Sequence, residues 1–347
     1  MTYSVFNFEN PEKLVLDCGE TLPKIEVAYN TYGELNHDQS NVILICHPLT
    51  GDSEALNWWP KIVGPGLAID TNHYFVVCSN ALGGCNGTTG PASINPKTGQ
   101  PYGLDFPVIT ISDMVKVQRA LIASLGINKI KMVIGGSMGG MMALEWVSQA
   151  PDQIDSCVPI ASTTKVSPLV IAFDAVGRNT ILEQLKLDQG SSGLALARQL
   201  GHITYLSEDA LEKKFSRKLQ VSEKYTYSMS PEFQVESYLN YQGKKFVDRF
   251  NYFSYLYLTK AVSYFDLNQA YGSVEQALSQ SSAKFLVLAI RSDWLYTASQ
   301  SKALAYELMK LNKHVAYVEI DSDYGHDTFL IDSEETRDAI KSFLESL

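Results

Sequence analysis

The stretch Val133-Ile134-Gly135-Gly136-Ser137-Met138-Gly139-Gly140 constrains this chain more than any other. An apolar run stops at a serine set among glycines, and an amphipathic segment over residues 141–147 follows at once, ending at Pro151. The pattern predicts a strand, a sharp turn and a helix. A G-x-S-x-G turn of this kind throws the serine hydroxyl out past the end of a parallel strand. Its glycines are required where a Cβ would strike the neighbouring strand or helix. The same five-residue pattern also occurs in ordinary turns, so by itself it makes Ser137 only a candidate nucleophile.

The segments around it set the fold class. Residues 24–29 alternate like a half-buried strand, and residues 41–46, 74–78, 131–134, 156–160 and 285–290 are near-continuous apolar runs of the length of buried parallel strands. Residues 315–320 are read as one more strand. A helix is predicted from Ser112, as N-cap, to Gly126, and another closes the chain over residues 333–347. This is an α/β chain with a mostly parallel central sheet flanked by helices. From about Thr163 no strand is predicted until Lys284, and the intervening sequence is rich in helix formers, Tyr and Phe. The expected organisation is a core of residues 1–165 and 275–347 with an inserted helical lid of residues 166–274. The aromatics of the lid are expected to pack between helices first, and are numerous enough to line a tunnel or a subunit interface. The glycine-rich run of residues 82–91 superficially resembles a phosphate loop, but lacks the terminal Gly-Lys-Ser/Thr, so a structural loop is expected.

Composition narrows the function classes. With 347 residues, 45% hydrophobic and 19% charged, the chain has the make-up of a soluble globular protein. A formal charge of −10 argues against a nucleic-acid or anionic-membrane surface. No apolar stretch reaches bilayer length and the N-terminus carries no secretory pattern, so a cytoplasmic protein is expected. Five cysteines, an odd number without C-x-x-C spacing, give neither a disulfide framework nor a metal site.

Two further polar residues stand just past predicted strands: Asp293 after residues 285–290 and His326 after residues 315–320. Ser137, Asp293 and His326 thus follow the chain order of α/β-hydrolase triads. A serine hydroxyl needs an imidazole to take its proton, and a carboxylate on the other ring nitrogen fixes the tautomer. Asp321, Asp323 and Asp327 lie too close to His326 in sequence to be the usual acid partner; Asp327 either caps or solvates its loop or suits an ammonium-bearing substrate. The loop that opens at His47 leaves a central strand, so its amides are natural oxyanion donors. Leu49 is the choice there, beside Met138 after the nucleophile.

The sequence as a whole resembles the homoserine O-acetyltransferase family, acyltransferases on the α/β-hydrolase fold. The resemblance is carried by Leu49-Thr50-Gly51-Asp52, Trp58-Trp59 with Val63 to Gly66, Asn80 to Pro91, Gly135 to Trp146, His202 to Ser207, Phe233 to Leu239 and Gly325-His326-Asp327. It implies Ser137, Asp293 and His326 as the triad and the amides of Leu49 and Met138 as the oxyanion hole. It implies Arg178 for the substrate carboxylate, Asp327 for its ammonium, and a lid tyrosine near the substrate. It further implies acetyl-CoA as co-substrate with no bound cofactor, L-homoserine as acceptor, a role in methionine biosynthesis, and a homodimer joined through lid helices. A homoserine O-succinyltransferase, a serine O-acyltransferase and a plain esterase or thioesterase are the alternatives that the same triad allows. A non-catalytic binding role fits less well, because all three triad residue types are present.

Overall fold

A computed structural model describes residues 3–221, 223–331 and 333–347. Its strands are β1 (Ser4–Asn7), β2 (Glu26–Tyr32), β3 (Val42–Cys46), β4 (Val63–Gly64), β5 (Ile69–Asp70), β6 (Phe75–Ser79), β7 (Met132–Gly136), β8 (Ser156–Ile160), β9 (Lys284–Ile290) and β10 (Val315–Ile320). Eight of them form one sheet in the order β1-β2-β6-β3-β7-β8-β9-β10, and β4 pairs with β5 apart from it. The β1–β2 and β2–β6 pairs are antiparallel, and from β6 to β10 every neighbouring pair is parallel.

Every residue of β3, β7 and β8 is buried, as expected for strands covered on both faces. Because side chains alternate along a strand, the two faces feed two different cores. Leu44, Cys46 and Val133 point into a cluster that also holds Trp146, Ile181, Leu194, Phe246 and Tyr255. Ile43, Ile45 and Ile134 point into a second cluster with Leu288, Ile340 and Leu344. The first cluster runs from the sheet into the inserted helices, so the lid and the face of the sheet share one core.

That insertion lies between β8 and β9. It comprises helices Pro168–Leu185, Gly190–Tyr205, Glu208–Lys214, Gln234–Val247, Tyr252–Ser263, Leu267–Tyr271 and Val274–Leu278. Among the described residues no helix is long and apolar enough to cross a membrane.

Two details differ from the pattern-based reading, and a third, the glycine-rich run, is the structural loop expected. The helix Ile111–Ser124 is capped by Thr110 rather than Ser112. Asp113 at the third helical position accepts from the Thr110 N–H at 3.1 Å while Thr110 Oγ1 accepts from the Asp113 N–H at 3.1 Å, a reciprocal pair that Ser112 has no partner to make. The edge strand β1 was absent from the reading because it is short and largely exposed, and carries no burial pattern. The glycine-rich run extends the pairing of β2: Thr88 Oγ1 accepts from the Ala28 N–H and Thr89 Oγ1 from the Glu26 N–H, at 2.9 and 2.8 Å.

Candidate active site

Ser137 sits between β7 and the helix Met138–Gln149 with φ 57° and ψ −122°, a conformation that non-glycine residues rarely adopt. Strain of this kind costs roughly 1–3 kcal/mol and persists only where the surroundings over-determine it. Here the Ser137 N–H donates to Ile160 O at 2.9 Å, and its carbonyl accepts from the Gly140 N–H and Ser162 Oγ, each at 2.9 Å. The glycines answer crowding: a Cβ on Gly139 would lie 2.1 Å from Cys46 O, and one on Gly136 would lie 2.4 Å from the Phe329 ring.

Asp293 and His326 meet beside this turn. His326 Nδ1 lies 2.6 Å from Asp293 Oδ2, and both side chains are buried. The other carboxylate oxygen accepts from the amides of Leu295 and Tyr296 at 2.8 and 2.9 Å, which aims the carboxylate at the ring. Burial alone would depress the His326 pKa, but the facing Asp293 charge and its hydrogen bond outweigh it, and the net shift is upward from 6.5. Rings of Phe329 and Tyr296 pack around the imidazole, at centroid distances of 5.4 and 5.2 Å. Ser137 and His326 open onto one cavity, whose wall also includes Leu49, Met138 and Asp327.

The loop carrying Leu49 is held by a residue that the sequence reading passed over. Buried His47 accepts from the Ala81 N–H through Nε2 at 2.9 Å, which leaves its proton on Nδ1 to donate to Pro48 O at 2.8 Å. Burial lowers its pKa and keeps it neutral. Neither the Leu49 nor the Met138 amide donates to a backbone carbonyl among the described residues outside regular elements.

The lid supplies the opposite wall. Arg198, Gly201 and Tyr205 lie on one face of the helix Gly190–Tyr205 and all line the cavity. Their spacing of three and then four residues is the helical period, a signal present in the sequence that went unread. Arg198 stands over the rings of Tyr205 and Phe246, at 5.5 and 4.6 Å from their centroids, and the Tyr205 ring is 6.0 Å from that of His326. Tyr205 and Tyr255 are the lid tyrosines that line the cavity. Arg249 ties the lid to the oxyanion loop by donating to Thr50 O at 3.0 Å.

Arg178, the arginine expected to grip a carboxylate, does not line this cavity. Its Nη1 donates at 3.0 Å to Ser263 Oγ on the helix Tyr252–Ser263, bracing two lid helices. The guanidinium in the cavity belongs to Arg198. Asp327 lines the cavity: burial raises its pKa from 3.8, against the lowering pull of His326 and Arg198.

A mostly parallel sheet with a strained serine turn, and a histidine–carboxylate pair on the loops after β10 and β9, defines a protein of the α/β-hydrolase fold. The profile described as "alpha/beta hydrolase fold" matches residues 41–333. A homoserine O-acetyltransferase of Methanococcus vannielii is 50% identical, across 96% of this chain and 71% of its own length. One of Bradyrhizobium diazoefficiens is 46% identical, across 99% and 90%. Among solved structures, homoserine O-acetyltransferase from Bacillus anthracis superposes with a TM-score of 0.91 at 29% identity, covering 99% of this chain and 97% of that one. Esterase E22 superposes with a TM-score of 0.89 at 29% identity, covering 99% of each. The chain belongs to the homoserine O-acetyltransferase family of α/β-hydrolases.

Proposed function

We propose that the chain transfers the acetyl group of acetyl-CoA to the γ-hydroxyl of L-homoserine through an acetyl-Ser137 intermediate. The observation that carries this is the pairing, in one cavity with Ser137 and His326, of a lid guanidinium from Arg198 with the Asp327 carboxylate. These are the counter-charges of an amino acid's carboxylate and ammonium. The names of the relatives supply the particular amino acid and acyl group.

In the first half-reaction Ser137 Oγ attacks the thioester carbonyl as its proton passes to His326 Nε2. The tetrahedral oxyanion is received by the Leu49 and Met138 amides. The carbon–sulfur bond then breaks, the departing thiolate takes the proton from His326, and CoA leaves as the thiol. Asp293 keeps the Nδ1–H in place and stabilises the imidazolium. In the second half-reaction the γ-hydroxyl gives its proton to His326 and attacks the acetyl ester. Ser137 recovers the proton as O-acetylhomoserine departs. Arg198 holds the acceptor carboxylate, with Tyr205 beside it, and Asp327 holds the ammonium, so the hydroxyl is presented in place of water.

Further parts of the proposal are a role in methionine biosynthesis, a cytoplasmic setting and a homodimer through the lid. The free cysteines, three of them buried, suit a reducing compartment. Exposed Leu169, Val176, Leu182, Leu196 and Ile203 on the first two lid helices offer an apolar face for a second copy.

A second reading, hydrolysis by a plain esterase or thioesterase, is favoured by the superposition with esterase E22. Thiol release from acetyl-CoA, measured with and without homoserine, separates the two. Transfer predicts a stoichiometric burst that becomes turnover only when homoserine is added; turnover at the same rate in its absence establishes hydrolysis.

A further inference from the structure

The cavity holds one charged group that the acyl-transfer scheme leaves unused. Asp174, on the helix Pro168–Leu185, lines the same wall as Val170 and Phe173 and shares the cavity with Ser137. Its Oδ2 is buried and has no hydrogen-bond partner among the described residues. The carboxylate is hydrogen-bonded by Ser263 through its other oxygen, and Arg178, one turn further along the helix and itself donating to Ser263, acts on it through space. A buried carboxylate oxygen without a partner in a substrate cavity is costly to folding, and such groups are kept where they act on a ligand.

Counting the fixed charges shows what it acts on. Arg198 and Asp327 are matched by the carboxylate and ammonium of the acceptor, so Asp174, when ionised, is the cavity-lining charge left over, offset only by Arg178 behind the cavity wall, in a partly enclosed, weakly screened space. An acetyl group adds no charge to that space. An acyl chain ending in its own carboxylate adds a second anion, and the available guanidinium is already committed to the acceptor. Like-charge juxtaposition of this sort is how a site rejects a near-substrate.

We propose that Asp174 is a donor-specificity residue, which excludes acyl-CoA thioesters whose chain ends in a carboxylate and so restricts the site to small neutral acyl groups. The inference rests on the acyl-enzyme reading above. It makes discrimination depend on the ionisation of Asp174, which burial pushes up to about 7 against the lowering effects of Arg178 and Ser263. The other groups facing it are the hydroxyls of Tyr205, Tyr255 and Tyr296. All three are raised by burial first, with Asp174 adding to the shift, and stay neutral through this range.

The test compares succinyl-CoA with butyryl-CoA, a neutral donor of the same chain length, at saturating homoserine, taking the ratio of their kcat/KM values. In Asp174→Asn the ratio should rise by about tenfold or more, while Asp174→Glu should keep the wild-type ratio. An unchanged ratio in Asp174→Asn overturns the proposal, whether or not the KM for homoserine moves. Should Asp174→Asn fail to fold, the wild-type enzyme answers: its ratio should fall several-fold from about pH 6 to about pH 8.5 as Asp174 ionises, and a flat ratio is contrary. His326 titrates equally for both donors and cancels. Wild-type formation of O-acetylhomoserine from acetyl-CoA is the control; its absence refutes the acyl-transfer reading, whereas an unchanged ratio in its presence refutes only the role of Asp174.

Discussion

The cavity has two unlike walls. On the core side, Ser137, His326 and the amides of Leu49 and Met138, with Asp293 buried behind His326, all hang from the carboxyl ends of parallel strands, and their geometry is fixed by the backbone of the sheet. On the lid side, Arg198, Tyr205 and Asp174 project from helices whose placement depends on packing against one another. On the acyl-transfer reading proposed above, the core wall carries chemistry common to esterases and acyltransferases, and the lid wall carries the groups that choose the acceptor and donor. The high structural similarity to both an esterase and a homoserine O-acetyltransferase fits that division.

Breaking the core wall should abolish both half-reactions. Ser137→Ala is expected to lower CoA release by about ten-thousandfold or more, measured as thiol formation in single turnover, with the far-ultraviolet spectrum unchanged. Activity within tenfold of wild type would remove the serine from the chemistry. Breaking the acceptor-holding part of the lid wall should leave acylation by acetyl-CoA intact. Arg198→Lys loses the planar fork that suits a carboxylate, so the KM for homoserine should rise by roughly 10–100-fold while the CoA burst persists. The matching Arg178→Lys should move that KM by less than about threefold, because Arg178 bonds Ser263 outside the cavity. The opposite ranking of the two arginines would reverse the assignment of the lid wall.

A subtler test of the core wall is steric. Gly139→Ala places a methyl against the Cys46 carbonyl and should destabilise the fold by roughly 1–3 kcal/mol, read from denaturant unfolding. The smallest expected effect is on pH dependence. His326 must be neutral to accept the serine proton and its pKa is raised by Asp293, so acylation should fall with falling pH through a value above the ordinary 6.5. In Asp293→Asn the limb of the surviving activity should move to lower pH; an unmoved limb separates the pair.

The same division governs what the sequence makes legible. Strand ends are marked by apolar runs, and a polar residue one to six positions beyond such a run is placed in space by the sheet, so Ser137, Asp293 and His326 emerge together. Arg178 and Arg198 both sit on lid helices, and no strand anchors either one. Telling them apart requires knowing which helix face meets the cavity, and for Arg178 that face turns to Ser263. The period linking Arg198, Gly201 and Tyr205 was the available clue. His47 was harder to foresee, because its role depends on the Ala81 amide 34 residues away in sequence.

The central claim is that an acetyl group rests on Ser137 until an amino acid collects it. Mixing the protein with acetyl-CoA alone and measuring intact mass over time tests it most directly. The account predicts an acetyl adduct that maps to the peptide containing Ser137, persists in buffer, and is discharged within one turnover when homoserine is added, with O-acetylhomoserine as product. An adduct that disappears equally fast without homoserine, or no adduct at all under conditions where product forms, would contradict it.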